Sequence, residues 1–184
     1  MRTSTIFFLF LSLFLLYSCT NNSSRIRTPK TDDDRLSNLL MDAGKYADYT
    51  LAHDNHGIIK MTKPEFVKCA GGESQMLNAL EDYQKRLAEG GEKLKSVNIS
   101  ITSKEYSHND FLVIDGKLFK QVILKIVMGT KNEHITTSYD RTLIAESIDG
   151  GVNWNFVDVS HLKHFGIENI YTESECKILN EYIN

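Results

Sequence analysis

The sequence is 184 residues long, which suffices for one well-buried domain but not for two. Its 21 basic and 24 acidic residues give a net charge of -3, so we expect no nucleic-acid partner bound through a broad basic surface. With 41% apolar residues and only 2 prolines, the composition is globular and excludes the collagen-like and proline-rich disordered classes.

The first nineteen residues have the order of a secretory signal peptide. Arg2 supplies a positive start, and residues 6–16 are apolar but for one serine. This run is too short for a membrane span, which needs about 20 apolar residues. The motif LYSC at 16–19 resembles a bacterial lipobox. That resemblance implies cleavage before Cys19 and attachment of lipid to its thiol, and two or three acyl chains make a stable anchor.

This interpretation divides the chain into three parts. Residues 1–18 are the signal peptide, residues 19–31 the lipidated cysteine and a flexible polar tether, and residues 32–184 a single α+β domain. The expected location is the bacterial cell envelope, with the membrane as a partner through the lipid anchor. Thr20 directly after the cysteine favours the outer over the inner membrane under the Gram-negative sorting rule. An ordinary signal peptide with an incidental cysteine is the alternative.

Helices are predicted first along the mature chain. Thr31 followed by three aspartates is typical of a helix N-terminus, and the apolar spacing then predicts a helix that ends between His53 and Gly57. The aspartates complement the helix dipole in this interpretation, and a metal or calcium role is the alternative. Thr62 and Glu65 have the spacing of a capping box and predict a second helix.

A third helix is predicted between the glycine pairs at 71–72 and 90–91. Its apolar stripe consists of Met76, Leu77, Leu80, Tyr83 and Leu87.

After residue 91 the apolar period changes from 3.6 to 2, which predicts strands. Their ranges are 97–101, 111–114, 118–128, 134–148 and 152–159. The short connections, with the turn dipeptide Asp115-Gly116 among them, predict an antiparallel sheet. A capping box from Thr172 to Glu175 begins a C-terminal helix. The predicted fold is therefore α+β, with N-terminal helices packed on a curved, cone-like antiparallel sheet and a helix at the C-terminus.

Two parts of the sequence resemble a known superfamily. The segments 63–67, 71–73 and 76–77 (KPEFV, GGE and ML) resemble a helix-turn-helix, and the stretch 143–158 resembles the last hairpin, of uncharacterised, often secreted bacterial proteins in the nuclear transport factor two-like (cystatin-like cone) superfamily. The resemblance covers residues 32–160. It implies a cone-shaped domain whose cavity can hold a small molecule. No catalytic set of the enzymes in that superfamily maps onto numbered positions of this sequence.

Residues 147–154 match the Asp-box pattern S-x-D-x-G-x-T-W, with Asn in place of Thr. Ser147, Asp149, Gly151 and Trp154 are the matching positions, and they predict a structural hairpin in which the carboxylate accepts turn amides and the indole packs beneath the loop. We expect Trp154 and Phe156, which share one face, to point toward the helices. Contact with a sugar is the alternative role.

Two histidine pairs have a spacing that metals can use on a helical turn, His53 with His56 and His161 with His164. Neither pair brings a third ligand, so no metal site is predicted. Acidic pairs that could serve acid–base catalysis lie near predicted turns, where solvation is the simpler interpretation. These pairs are Asp110 with Asp115 and Glu133 with Asp140. The sequence thus indicates neither catalytic residues nor a cofactor.

Cys69 and Cys176 are the two thiols not committed to lipid. Both lie in predicted helices, and a compartment beyond the inner membrane permits oxidation, so they are candidates for a disulfide. Two separate buried thiols are the alternative.

Three classes of function follow. The leading hypothesis is an anchored, non-catalytic protein whose cone-fold domain binds a small ligand or an envelope protein. A small cone-fold enzyme (an isomerase, dehydratase or hydrolase) is the second, and an envelope inhibitor or immunity protein is the third. Two converging ionisable groups with opposed pKa shifts in a deep pocket would favour the enzyme.

Overall fold

The computed structural model describes residues 25–101, 111–130 and 135–183. The predicted signal peptide and Cys19, together with Asp110 and Glu133, lie outside this part of the chain. The described helices are α1 (Asp32–Ala52), α2 (Asn55–Met61), α3 (Pro64–Cys69), α4 (Glu73–Glu89), α5 (Val159–Phe165) and α6 (Glu173–Ile183). The strands are β1 (Glu92–Ile101), β2 (Leu112–Ile114), β3 (Lys117–Thr130), β4 (Ile135–Ser147) and β5 (Asn155–Asp158).

Helix α1 begins and ends where its cap chemistry predicts. Thr31 Oγ1 accepts a hydrogen bond from the Asp34 amide at 3.1 Å, and the Asp34 carboxylate accepts one from the Thr31 amide at 3.2 Å. This reciprocal pair satisfies two amide groups that the first turn leaves without partners. His53 ends the helix with a left-handed φ of 56°.

The capping box predicted at Thr62 and Glu65 is wrong. Thr62 Oγ1 donates to the Ile58 carbonyl at 2.9 Å and so belongs to the end of α2, a helix that the sequence interpretation lacked. Helix α3 instead follows Lys63 without a side-chain cap. The second predicted box is confirmed, because Glu175 Oε2 accepts from the Thr172 amide at 2.8 Å at the start of α6.

The fold is α+β, as predicted, with a five-stranded antiparallel sheet between N-terminal and C-terminal helices. Strand β3 is central and pairs along its length with β4 on one side. On its other side β1 and β2 follow one another, pairing with residues 122–130 and 117–119. Strand β5 pairs with β4 at the remaining edge.

The sheet buries both of its faces. One face packs against α1 through Leu39, Ala43 and Ala47, and it includes Trp154 and Phe156, which are 2% and 0% exposed. The expected inward orientation of these two rings is confirmed. The other face carries a second apolar cluster under α3, α5 and α6, whose members include Phe66, Phe119, Ile144, Leu162 and Leu179. The predicted strand 152–159 is shorter than expected, because β5 begins only at Asn155 and the chain turns into α5 at Val159.

Helix α4 differs from the others in that none of its residues is fully buried. Met76, Leu80 and Leu87 of its apolar stripe are half-buried, and Tyr83 is 38% exposed. Both ends are glycine pairs, and Gly71 and Gly72 each have a φ of 92°, a conformation that side chains disfavour. The helix thus packs against its neighbours with a half-buried apolar stripe and without a fully buried side chain.

Candidate functional site

A cavity of about 520 Å³ lies between α4, α5 and the start of β4. Ligand sites in proteins commonly have volumes of roughly 300–1,000 Å³. Its walls are largely apolar, formed by Phe66, Ala70, Met76, Ala79, Leu80 and Phe165. A narrower extension of about 70 Å³ reaches inward to the end of α1, and the two spaces share Phe66, Met76, Leu80, Tyr83, Arg141 and His161. We call the larger space the outer cavity and the extension the inner cavity.

Arg141 and Asp158 form an ion pair between the two spaces. Arg141 Nε donates to Asp158 Oδ2 at 2.6 Å, and Nη2 lies 2.5 Å from the same oxygen. The other carboxylate oxygen accepts from the Ser160 amide at 2.7 Å and from its hydroxyl at 2.6 Å. Burial alone would raise the pKa of Asp158, but the charge of Arg141 and the bonds from Ser160 outweigh it and lower that pKa. Asp158 is therefore ionised, and both of its carboxylate oxygens already accept hydrogen bonds within the protein.

Two further groups in the outer cavity have shifted pKa values of opposite sense. Burial lowers the pKa of the His161 imidazole, which stacks on Phe66 with ring centroids 5.6 Å apart. Burial and the neighbouring Tyr83 hydroxyl raise the pKa of Tyr139 to about 12. At neutral pH the cavity thus presents a neutral imidazole, which can accept a proton, and a protonated phenol, which can donate a hydrogen bond.

Three pairs of polar side chains join helix α4 to its neighbours, one of them His56 of α2 with Glu73 at 3.7 Å. Tyr83 and Tyr139 bring their hydroxyl oxygens to 3.3 Å, which joins α4 to β4. Gln84 Nε2 donates to Asn55 Oδ1 at 2.6 Å, which joins α4 to α2. These contacts are few for a helix of 17 residues. Helix α4, with a glycine pair at each end and no fully buried residue, forms one wall of the cavity.

A second group of charges lies on the opposite side of the sheet, and we call it the lysine–glutamate network (Lys63, Lys117, Glu146 and Glu175). Lys63 contacts Glu146 Oε2, and both side chains are almost completely buried. Lys117 Nζ lies 2.6 Å from Glu175 Oε1 and 3.5 Å from Glu146 Oε1. Glu175 belongs to α6, so the network attaches the C-terminal helix to the sheet.

The Asp-box segment folds as a tight loop around one carboxylate. Asp149 Oδ1 accepts from the Asn153 amide at 2.9 Å and from the Ser147 hydroxyl at 2.8 Å, while the Gly151 amide donates to Ser147 Oγ at 2.8 Å. Burial would raise the pKa of Asp149, but these hydrogen bonds outweigh it and lower that pKa. Trp154 lies beneath the loop and is 2% exposed, which leaves no open indole face for a sugar.

The segment just before α1 is hydrogen-bonded to the same loop and to α1. We call this contact region the N-terminal clamp (Arg25 and Ile26 with Asn38, Asp42, Gly151 and Asn153). Asn38 exchanges two hydrogen bonds of 2.7 Å with the backbone of Ile26, and its amide also donates to the Gly151 carbonyl at 2.9 Å. Arg25 pairs with Asp42 and donates to Asn153 Oδ1 at 2.5 Å. Residues 25 and 26, which the sequence interpretation placed in a flexible tether, are therefore attached to the domain.

The other predicted residues are dispersed. Cys69 and Cys176 are free, half-buried cysteines that pack against the second apolar cluster, so the candidate disulfide is not formed in this structure. His56 lies 3.7 Å from Glu73, and the part of the chain that the structure describes contains no group of three metal-ligating side chains. Within the same residues, no helix combines the length and apolar character that a membrane span requires.

Sequence reasoning missed the Arg141–Asp158 pair, although a signal existed. Tyr139, Arg141 and Leu143 share one parity on β4, and β5 pairs Asp158 with Leu143. On each of these two neighbouring strands a charged residue stands among the apolar residues that face inward. A charged residue at such a position indicates a polar group that faces the core or a cavity. The resemblance-based expectation of a cavity did not indicate which side chains would line it.

Comparison of the chain with protein-family models, with curated proteins and with solved structures finds no match. The resemblance to the nuclear transport factor two-like superfamily stays a prediction.

Proposed function

We propose that this chain is a lipid-anchored envelope protein whose folded domain binds a small, largely apolar ligand in the outer cavity. The observation that supports the binding role is the cavity itself, a space of about 520 Å³ lined by six apolar and seven polar residues. The location rests on the lipobox-like motif at Cys19. A cone-like fold related to the superfamily named above is part of the same proposal.

The binding role is tested with a neutral fluorescent probe, N-phenyl-1-naphthylamine, added to the mature chain. We expect a saturable increase in its fluorescence. Ala79 lines the outer cavity, and Ala88 lies on the same helix outside it, and both are exposed. Ala79→Phe should fill the space and weaken binding of the probe, while Ala88→Phe should leave it unchanged. Equal binding by both variants, or no binding by the parent protein, would remove the proposal.

The anchor is tested separately. Cys19→Ala should move the protein from the detergent phase to the aqueous phase in phase partitioning, because the acyl chains provide the attachment. Ser18→Ala keeps a small residue before the cysteine and is the matched control. Unchanged partitioning of Cys19→Ala would contradict the anchor.

A small enzyme is the second candidate, and the observation in its favour is that a neutral imidazole, His161, and a phenol, Tyr139, line the same cavity. A neutral imidazole can accept a proton from a bound substrate, and a phenol can donate one. NMR in D₂O with a panel of ketones and esters would detect proton exchange or hydrolysis. Turnover that His161→Gln abolishes, with probe binding intact, would establish catalysis. The absence of turnover across the panel would favour the binding protein.

A further inference from the structure

The outer cavity has a positive lining in a negatively charged protein. Arg141 and Arg86 line it together with the neutral imidazole of His161, whereas none of the aspartates and glutamates that the structure describes does. The chain as a whole carries a net charge of -3. Asp158 lines only the inner cavity, on the far side of Arg141. Among the described lining residues, a ligand in the outer cavity would therefore contact cationic and neutral polar groups but no carboxylate.

Asp158 fixes the orientation of Arg141 without using all of its donors. The polar contacts of Arg141 with the described residues come from Nε and Nη2 and go to a single oxygen of Asp158. A guanidinium carries five N–H groups, so Nη1 stays available to a ligand. The second oxygen of Asp158 is held by Ser160, and this prevents the carboxylate from rotating toward the cavity. The arginine side chain is thus pre-organised, and 30% of it is exposed.

We infer that the ligand is a carboxylate with an apolar body, whose carboxylate is received by Arg141 in the outer cavity. This inference rests on the proposed binding role and specifies the ligand. The apolar body would lie between Phe66, Met76 and Phe165, which form the walls beside the guanidinium. A planar carboxylate can be satisfied by the coplanar N–H groups that Asp158 leaves free on Arg141, whereas the additional acceptors of a phosphate dianion would also need Arg86, which is exposed.

The inference is tested with two probes that differ only in the head group, octanoate and 1-octanol. Isothermal titration calorimetry of the mature chain should show that octanoate binds more than about tenfold more tightly, because an ionised partner strengthens the hydrogen bonds of the guanidinium. Arg141→Gln should abolish this preference and leave octanol binding unchanged. Octyl phosphate, the third probe, should bind more weakly than octanoate.

Arg35→Gln is the matched control. Arg35 also pairs with an aspartate, at 2.6 Å from Asp32, and its side chain is 31% exposed, but it lines neither cavity. This variant should keep the preference for octanoate. Thermal unfolding of each variant shows whether it is folded, and the comparison of octanoate with octanol on the parent protein needs no variant at all.

Several results would overturn the inference. Equal affinities for octanoate and octanol, or a preference that survives in Arg141→Gln, would refute recognition of the carboxylate by Arg141 while the binding role stands. Tighter binding of octyl phosphate would refute the carboxylate as the ligand class. If N-phenyl-1-naphthylamine and both octyl compounds fail to bind, the proposed function fails with it.

Discussion

Two groups of charges in this protein are built from the same chemistry but differ in how much of each stays accessible. In the lysine–glutamate network, the side chains of Lys63 and Glu146 are 6% and 3% exposed. In the cavity pair, Asp158 is 4% exposed but Arg141 is 30% exposed. Both members of the first pair are buried, and we call Lys63 with Glu146 the closed pair. The second pair exposes its arginine to a space large enough for a ligand, and we call Arg141 with Asp158 the open pair.

The surroundings of each pair account for this difference. Lys63 is enclosed by Glu146, by Glu65 at 3.3 Å and by the ring of Tyr171 at 4.8 Å. Arg141 is backed by Asp158 alone and is covered by α4, a helix without a fully buried residue. A buried ion pair is thus a poor indicator of function by itself. What indicates a binding site is an N–H group of the pair that has no partner within the protein and faces a cavity.

The largest effect is expected from breaking the closed pair. Glu146→Ala would leave the Lys63 ammonium buried without its main partner, and we expect a loss of about 3–5 kcal/mol in the free energy of unfolding. Urea denaturation measures the loss. Glu65 also contacts Lys63 but is 59% exposed, so Glu65→Ala should cost less than about 1 kcal/mol. Similar losses for the two variants would contradict the closed arrangement.

Breaking the open pair should lower the free energy of unfolding less than breaking the closed pair does, but it should weaken ligand binding. In Asp158→Ala the Arg141 side chain can still reach water, so we expect a loss of about 1–3 kcal/mol. The affinity for octanoate should fall because the guanidinium is no longer held in place. Denaturation and calorimetry on the same samples give both quantities. A loss of stability as large as that of Glu146→Ala would make the two pairs equivalent and remove the distinction.

A smaller effect is expected from pH, through His161. Its imidazole faces the charges of Asp158, Arg141 and His164, and burial lowers its pKa in the folded protein. The folded state therefore binds fewer protons than the unfolded state, and the stability contribution of this group is lost as pH falls below about 6.5. A bound carboxylate would favour the imidazolium, so the affinity for octanoate should rise as pH falls from 8 to 6.

The affinity for octanol should change much less over the same range. His161→Gln should remove the pH dependence of octanoate binding while the preference over octanol persists. A pH dependence that is identical in His161→Gln would assign it to another group.

The smallest effect concerns the thiols of Cys69 and Cys176. Intact mass after alkylation under denaturing conditions should show two modified thiols without reductant, since both are free in the structure. The apolar cluster beneath them holds α3 and α6 in place without a bridge. Alkylation only after reduction would establish the disulfide, which closes a loop of about 107 residues and could add about 4–5 kcal/mol in the chain-entropy model.

Local chemistry predicted much of the fold. The threonine–aspartate cap at residue 31, the glycine pairs around α4 and the change of period after residue 91 each correspond to an element boundary. These signals act within a few residues, so they can be interpreted without knowing the tertiary structure. The cap predicted at Thr62 failed because the hydroxyl bonded backward to Ile58 instead of forward.

The cavity and the second core could not be predicted in the same way. Arg141 and Asp158 meet only through the register of β4 with β5, and Lys63 reaches Glu146 across 83 positions of the chain. Strand β3 is buried at every position from Leu118 to Val122, which requires helices on both faces of the sheet. A pattern of period 2 does not reveal this arrangement, because it assumes that one face is solvated.

The N-terminal clamp limits how far the domain can move from a membrane. If Cys19 carries lipid, it lies six peptide steps before Arg25, which is attached to the domain, and six steps span at most about 20 Å when extended. Helix α1 alone, with its 21 residues, is about 30 Å long. A domain joined to a lipid by so short a segment would stay next to the membrane that holds the lipid. It could not carry a ligand across the envelope. Its ligand would have to arrive by diffusion or leave the same membrane leaflet, a supply route suited to an amphipathic acid.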